Sequence, residues 1–92
     1  MQQEQAETVA LTALSWLVGH DELLPVFLGA TGAAADDLRA RAADPDFLGA
    51  TLDFLLLDDA WVQDFAADAG VPPESVARAR GALPGGQTPH WT

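Results

Sequence analysis

The side chains that could take part in chemistry in this sequence are few and lie far apart. His20, Asp21 and Glu22 form the most compact group of potential metal ligands or proton-transfer groups. Consecutive side chains at the start of a helix point in different directions, so three in a row seldom bind one ion. A histidine that ends one helix and an aspartate that caps the next explain the group better. We therefore expect no metal site here.

The aspartate pairs and the glycine-rich stretch lack the partners that their chemistry would need. Asp44-x-Asp46 is without the glycine and the closing glutamate of a calcium loop. The run GATGAAADD at residues 29–37 contains no lysine and does not follow a predicted strand, which argues against a phosphate-binding loop. Asp58-Asp59 is typical of a helix cap.

The serines are the remaining candidate nucleophiles, and Ser15 has no plausible general base near it in the sequence. Ser15 falls in the middle of a predicted helix, and Ser75 falls in a first turn, where serine usually bonds to nearby backbone. Cysteine, lysine and tyrosine are absent. We therefore predict that the protein is not an enzyme and that it uses no cofactor or metal.

The charge is strongly negative, because 14 acidic residues are set against four arginines, for a net charge of −10 at pH 7. Such a field repels nucleic-acid phosphates and anionic lipid, and it favours a basic partner. The first residues, MQQEQAE, lack the positive charge of a signal peptide. Charge-free stretches of about a dozen residues are too short for a membrane span. With no cysteine present, we expect a cytoplasmic protein that does not enter a membrane.

Apolar residues recur at helical spacing along most of the chain, and no stretch alternates with the period of a strand for long. We predict an all-α fold, a compact bundle of five or six short helices in one domain at residues 1–83. A flexible C-terminal tail is predicted at residues 84–92. The predicted helices cover residues 3–18, 22–31, 37–43, 47–57, 60–69 and 74–83.

Capping residues define several of these boundaries. Asp44 as N-cap and Pro45 at the first helical position open the fourth helix. Asp21 is expected to cap the second helix, and Asp58 or its neighbour the fifth. The fourth helix, FLGATLDFLLL at residues 47–57, is apolar almost all round. We therefore expect it to be the central and most buried element.

Two short patterns occur twice. FLGAT is found at residues 27–31 and 47–51, and its Gly-Ala pair predicts the close approach of another helix. The pattern F-x-x-x-x-G spans Phe27–Gly32 and Phe65–Gly70, and each copy precedes an acid-led helix with Arg-Ala-Arg. Both copies predict a corner between two helices.

The second corner fits the helix-turn-helix pattern of bacterial DNA-binding proteins. That pattern encodes a steep crossing of two helices, which many proteins use without touching DNA. Of the outward positions on its second helix, only Arg78 can donate to a base or a phosphate. We therefore interpret both turns as structural corners around the central helix, with DNA binding as the alternative.

Three arginines follow an acidic residue at helical spacing, a pairing worth about 0.2–0.5 kcal/mol on a helix surface. The pairs are Asp36–Arg39, Asp37–Arg41 and Glu74–Arg78. Arg80 has no such partner in its own helix, so its side chain could instead contact another acidic residue, a helix C-terminus or a binding partner. Arg78 and Arg80 are therefore candidate interaction residues.

The aromatic residues suit core and interface positions. Trp16 and Trp61 are candidates for a half-exposed position at a binding surface, although a core position is the simpler interpretation. Trp91, in the predicted tail, is either a free end or a short docking peptide. The phenylalanines occupy apolar helical positions and are predicted to form the core: Phe27, Phe47, Phe54 and Phe65.

Four stretches carry a resemblance to a known family: DELLPVFL, DDLRARAADPDFL, LDFLL and PPESVARARGALPG. The chain resembles, from about Ala6 to Gly85, a family of small bacterial proteins that is defined only as a domain of unknown function. The resemblance implies a cytoplasmic bacterial protein of about this length. It implies no activity, ligand or catalytic residue.

The function predicted from the sequence is that of a small, acidic, non-enzymatic interaction module. Such an adaptor or regulator would act through a protein partner, with a homodimer as one form. The first alternative is a DNA-binding or transcription-linked helix-turn-helix protein, which would need Arg78 and Arg80 on one positive face with Arg39 or Arg41. The second is an acidic mimic that occupies a nucleic-acid-binding protein.

Overall fold

The computed structural model describes residues 1–84, and within that range the chain forms helices and no strand. This confirms the predicted all-α bundle. Residues 85–92, with Trp91 and nearly all of the predicted tail, lie outside the described residues. In chain order the elements are α1 (Gln3–Val18), α2 (Leu23–Thr31), a 3-10 turn (Ala35–Asp37), α3 (Leu38–Arg41), α4 (Pro45–Leu56), α5 (Asp59–Ala69) and α6 (Glu74–Gly81).

Side-chain caps set the starts of α4 and α5, as the sequence predicts. Asp44 Oδ1 accepts a hydrogen bond from the Asp46 backbone N–H at 3.0 Å, with Pro45 at the start of α4. Asp58 Oδ1 accepts one from the Ala60 N–H at 2.9 Å. Each cap satisfies a donor that the first turn of a helix leaves without a partner.

Gly32 and Gly70 form the two predicted corners. Both have a left-handed backbone, with φ of 74° and 72°, a conformation that glycine adopts without the steric penalty of a Cβ. Gly70 leads directly into the turn before α6. After Gly32 the chain forms only the 3-10 turn and the four residues of α3, shorter than the predicted helix at residues 37–43.

The core lies around α4, which packs against α1, α2, α5 and α6. One face of α4 buries Leu48, Leu52 and Leu55. The facing helix α1 contributes small buried residues, including Ala6 and Ala10, and these permit a close approach. The predicted central position of this helix is thus confirmed, and its burial is the main source of hydrophobic stabilisation.

The aromatic residues link α4 to its neighbours. The Phe27 ring of α2 meets Phe47 and Phe54 of α4 edge to face, with centroids 5.8 and 5.3 Å apart. Phe65 of α5 is fully buried. All four phenylalanines are therefore in the core, as predicted. The radius of gyration is 12.4 Å, and among residues 1–84 no helix is long and apolar enough to cross a membrane.

Candidate interaction surface

Arg80, a predicted interaction residue, instead joins α6 to α4. Its Nε donates to Asp53 Oδ1 at 2.6 Å, and its Nη1 donates to the Pro84 carbonyl oxygen at 3.0 Å. The Arg80 side chain is only 16% exposed. A Cβ at Gly49 would lie 2.6 Å from Nη1, so the arginine crosses α4 where that helix has no side chain.

The two copies of FLGAT therefore differ in what their glycines do. Gly49 admits the Arg80 side chain, whereas nothing lies within 4 Å of a Cβ built at Gly29. The prediction that the Gly-Ala pair admits a neighbouring helix is wrong for the first copy. For the second copy the glycine admits a side chain of α6.

The three predicted local ion pairs are not formed. Arg80–Asp53 is the one ion pair within 4.0 Å in the part of the chain that the structure describes. Asp36 and Asp37 belong to the 3-10 turn rather than to α3, so their spacing to the arginines of α3 is not that of one helix. On α6, Glu74 and Arg78 are both exposed, and water competes well for such a weak pair.

Trp16 and Trp61 are half-buried, and each makes contacts within the chain. Trp16 Nε1 donates to Asp68 Oδ2 on α5 at 2.7 Å, and its ring meets Phe65 edge to face at 5.8 Å. Trp61 stacks on Phe54, with centroids 4.8 Å apart and planes 17° from parallel. Each ring thus covers the edge of the core and leaves part of its surface to solvent.

The polar groups considered for chemistry have local structural roles. His20 Nδ1 accepts a hydrogen bond from the Leu23 N–H at 3.3 Å. The prediction that Asp21 caps α2 is wrong. The N-cap position is Glu22, which makes no side-chain cap bond, and the Leu23 N–H is bound by His20 instead. Ser75 Oγ donates to the Pro72 carbonyl at 2.6 Å. Among residues 1–84 no three histidine or acidic side chains converge as a metal site.

A groove of about 500 Å³ runs along the solvent side of α4. Its positions on α4 recur at helical spacing, and the ends of α2 and α3 form its other side. We call it the α4 groove; its lining residues are Ala30, Thr31, Arg41, Asp44, Asp46, Phe47, Ala50, Asp53, Phe54 and Leu57. The lining combines an apolar floor with three aspartates and one arginine.

Leu57 and Arg41 are the most distinctive residues of the α4 groove, the first by its exposure and the second by its contact with an aromatic ring. Leu57 is 75% exposed, more than any other large apolar side chain among residues 1–84. The Arg41 guanidinium lies over the Phe47 ring, 5.3 Å from its centroid, in a cation–π contact. The central helix α4 is therefore partly exposed along this stripe, which neither α2 nor α3 covers.

A second groove, of about 470 Å³, lies between α1 and α3. We call it the α1–α3 groove; it is lined by Leu11, Leu14, Ser15, Val18, Ala35, Leu38, Arg39 and Ala42. It contains no carboxylate side chain, and its charged residue is an arginine. The two grooves thus differ in charge although their sizes are similar.

Comparison with known proteins gives a family and no activity. A family model described as "Protein of unknown function (DUF3572)" matches residues 3–86. No curated protein matches the chain. No solved structure matches it either.

Proposed function

The chain belongs to the DUF3572 family of proteins of unknown function, and we propose that it is a small cytoplasmic interaction module. It binds a basic protein partner and catalyses no reaction. The observation that carries this proposal is the exposed Leu57 in a groove bordered by three aspartates. Exposed apolar surface with a charged border is typical of a protein-binding site.

The charge distribution supports a basic partner. All fourteen acidic side chains are exposed or half-buried, and only Asp53 is ion-paired with an arginine among the described residues. The negative charge therefore points outward. A field of this sign accelerates encounter with a positively charged protein and slows encounter with nucleic acid. A nucleic-acid-binding protein is one member of this partner class, as the acidic-mimic hypothesis requires.

The roles of the polar side chains favour binding over catalysis. His20 and Ser75 bond to backbone near their own positions, and Thr51, the other buried hydroxyl, donates to the Phe47 carbonyl at 3.0 Å. A nucleophile needs an adjacent base and a site for the reacting atom. Among residues 1–84, each of these three groups is hydrogen-bonded to backbone and none to an adjacent base.

DNA binding has less support from the arginines. The hypothesis needs Arg78 and Arg80 together on a positive face, yet Arg80 is paired with Asp53 beside the core. Arg78 remains exposed on α6, and a single arginine on an acidic protein supplies little affinity for phosphates.

Affinity capture from a lysate of the source cells tests the proposal. The tagged full chain is used as bait with and without nuclease, at low and at moderate salt, and bound proteins are identified by mass spectrometry. We expect a reproducible basic protein that survives nuclease. Recovery of nuclease-sensitive material alone, or of no protein, would contradict the proposal.

A further inference from the structure

We propose that the α4 groove binds an amphipathic helix of the partner that carries arginine or lysine beside its apolar stripe. This rests on the proposed function and adds to it the site and the type of segment bound. The apolar stripe of the helix would lie on Ala50 and Leu57, and its cationic side chains would reach Asp44 and Asp46.

The shape of the groove suits a helix. The positions at Asp46, Ala50, Asp53 and Leu57 follow one face of α4, over about 16 Å at 1.5 Å per residue. A second helix of about three turns matches that length and packs on α4 by the usual fit of side-chain ridges into grooves. An extended peptide is less suited, because residues 1–84 contain no sheet edge to which it could add.

The charges of the α4 groove favour a positively charged segment. Asp44 and Asp46 are exposed and have no ion-pair partner among the described residues. Asp53 is already neutralised by Arg80, so the first two aspartates dominate the border. An acidic segment would be repelled, whereas a basic one would gain complementary pairs at the edge of an apolar contact.

Arg41 shows that the groove accommodates a cation. Its guanidinium rests on Phe47, and it is the only cationic side chain of the lining. It therefore competes with an incoming arginine for the same ring, and its charge offsets part of the negative charge of the groove. Removal of Arg41 should strengthen the binding of a basic helix, an effect that loss of folding cannot imitate.

Its charge distinguishes this groove from the α1–α3 groove. The latter has Arg39 and no carboxylate, and its most exposed apolar residues, Leu11 and Val18, are 42% and 47% exposed, against 75% for Leu57. A basic segment therefore prefers the α4 groove. A second copy of this chain carries the same net negative charge, so we do not expect it to bind the α4 groove.

The test is an NMR titration of the ¹⁵N-labelled full chain with a synthetic amphipathic helix of about 14 residues. Leucines form one stripe of this peptide, and arginine and lysine occupy the rest. A control peptide carries glutamate at every cationic position. We expect the basic peptide to shift the amide signals of Thr31, Ala50 and Leu57, and the acidic peptide to shift none of them.

Matched variants identify the side chains responsible. Leu57→Ser should weaken binding about tenfold and Asp46→Lys about three- to tenfold, as for central apolar and border charged contacts. The controls Leu56→Ser and Asp64→Lys change exposed residues outside the groove and should leave affinity unchanged. Arg41→Ala should strengthen binding about two- to fivefold, as removal of an opposing charge does. Circular dichroism confirms that each variant is folded.

The inference is overturned if the basic peptide does not bind, or if it shifts the amide signals of the α1–α3 groove instead. It is overturned as well if each control variant weakens binding as much as the groove variant to which it is matched. It is also overturned if the basic protein captured from lysate binds Leu57→Ser and Asp46→Lys as well as wild type. In that case the proposed function stands and only the site is wrong. Failure to capture any basic protein would contradict the proposed function itself.

Discussion

At the scale of single residues, the contact between Gly49 and Arg80 determines how α6 is attached to α4. The guanidinium occupies the space of the missing side chain and bonds to Asp53 and to the Pro84 carbonyl. Charge-assisted hydrogen bonds of a largely buried arginine are stronger than those of an exposed pair. We therefore regard this contact as structural rather than as part of the interaction surface.

Gly49→Ala should lower the free energy of unfolding by about 1–3 kcal/mol relative to Gly29→Ala, because the new methyl group displaces Arg80. Gly29→Ala is the matched control, since its Cβ meets nothing within 4 Å. Alanine is the better helix former by about 1 kcal/mol, so this control should be neutral or stabilising. Urea denaturation measures both.

A double-mutant cycle tests the cause of that difference. In an Arg80→Ala background the guanidinium is gone, so Gly49→Ala should become as favourable as Gly29→Ala. If Gly49→Ala is equally destabilising with and without Arg80, steric conflict with the guanidinium is not the reason for the glycine.

At the scale of the elements, caps and corners fix where the helices begin and end. Asp58→Ala should lower stability by about 0.5–2 kcal/mol, because its carboxylate satisfies a free N–H at the start of α5. Asp59→Ala, one residue further on, should cost less than Asp58→Ala, about 0.3 kcal/mol, since this exposed residue interacts with the helix dipole and makes no cap bond. Equal losses would show that Asp58 is not the cap. Thermal and urea unfolding distinguish the two variants.

Gly70 allows a second test at this scale. Gly70→Ala should destabilise the protein by about 1 kcal/mol, because alanine in left-handed backbone is strained even where space is free. Gly81→Ala, at the end of α6 and also without a close neighbour, should have no such cost. The urea midpoints of the two variants report the difference. A neutral Gly70→Ala would mean that the left-handed turn does not define this corner.

The elements also show what the sequence could predict. Asp44-Pro45, Gly32 and Gly70 act through neighbours in the chain, so their local signals predicted helix ends that the structure confirms. The pairing of Arg80 with Asp53 could not be predicted, because the two residues are 27 positions apart and no local pattern connects them. The α4 groove escaped prediction for the same reason. It depends on how far α2 and the short α3 extend over α4, which is a property of packing.

At the scale of the whole molecule, the chain combines a small helical core with a surface of net charge −10. Binding to a basic partner should therefore weaken as salt rises, because the screening length falls to about 10 Å at 0.1 M ionic strength. The apolar contact at Leu57 should keep part of the affinity at higher salt. Titration of the captured partner at several salt concentrations measures this dependence. Affinity independent of salt would contradict a charge-guided interface.

Capture of a protein partner by the full chain, with nuclease present and with salt raised in steps, is the decisive experiment for the proposed function. We expect a basic protein that nuclease does not remove and that is lost progressively as salt increases. Material that disappears with nuclease, or the absence of any protein partner at low salt, would overturn the proposed function and leave DNA binding through Arg78 as the next hypothesis.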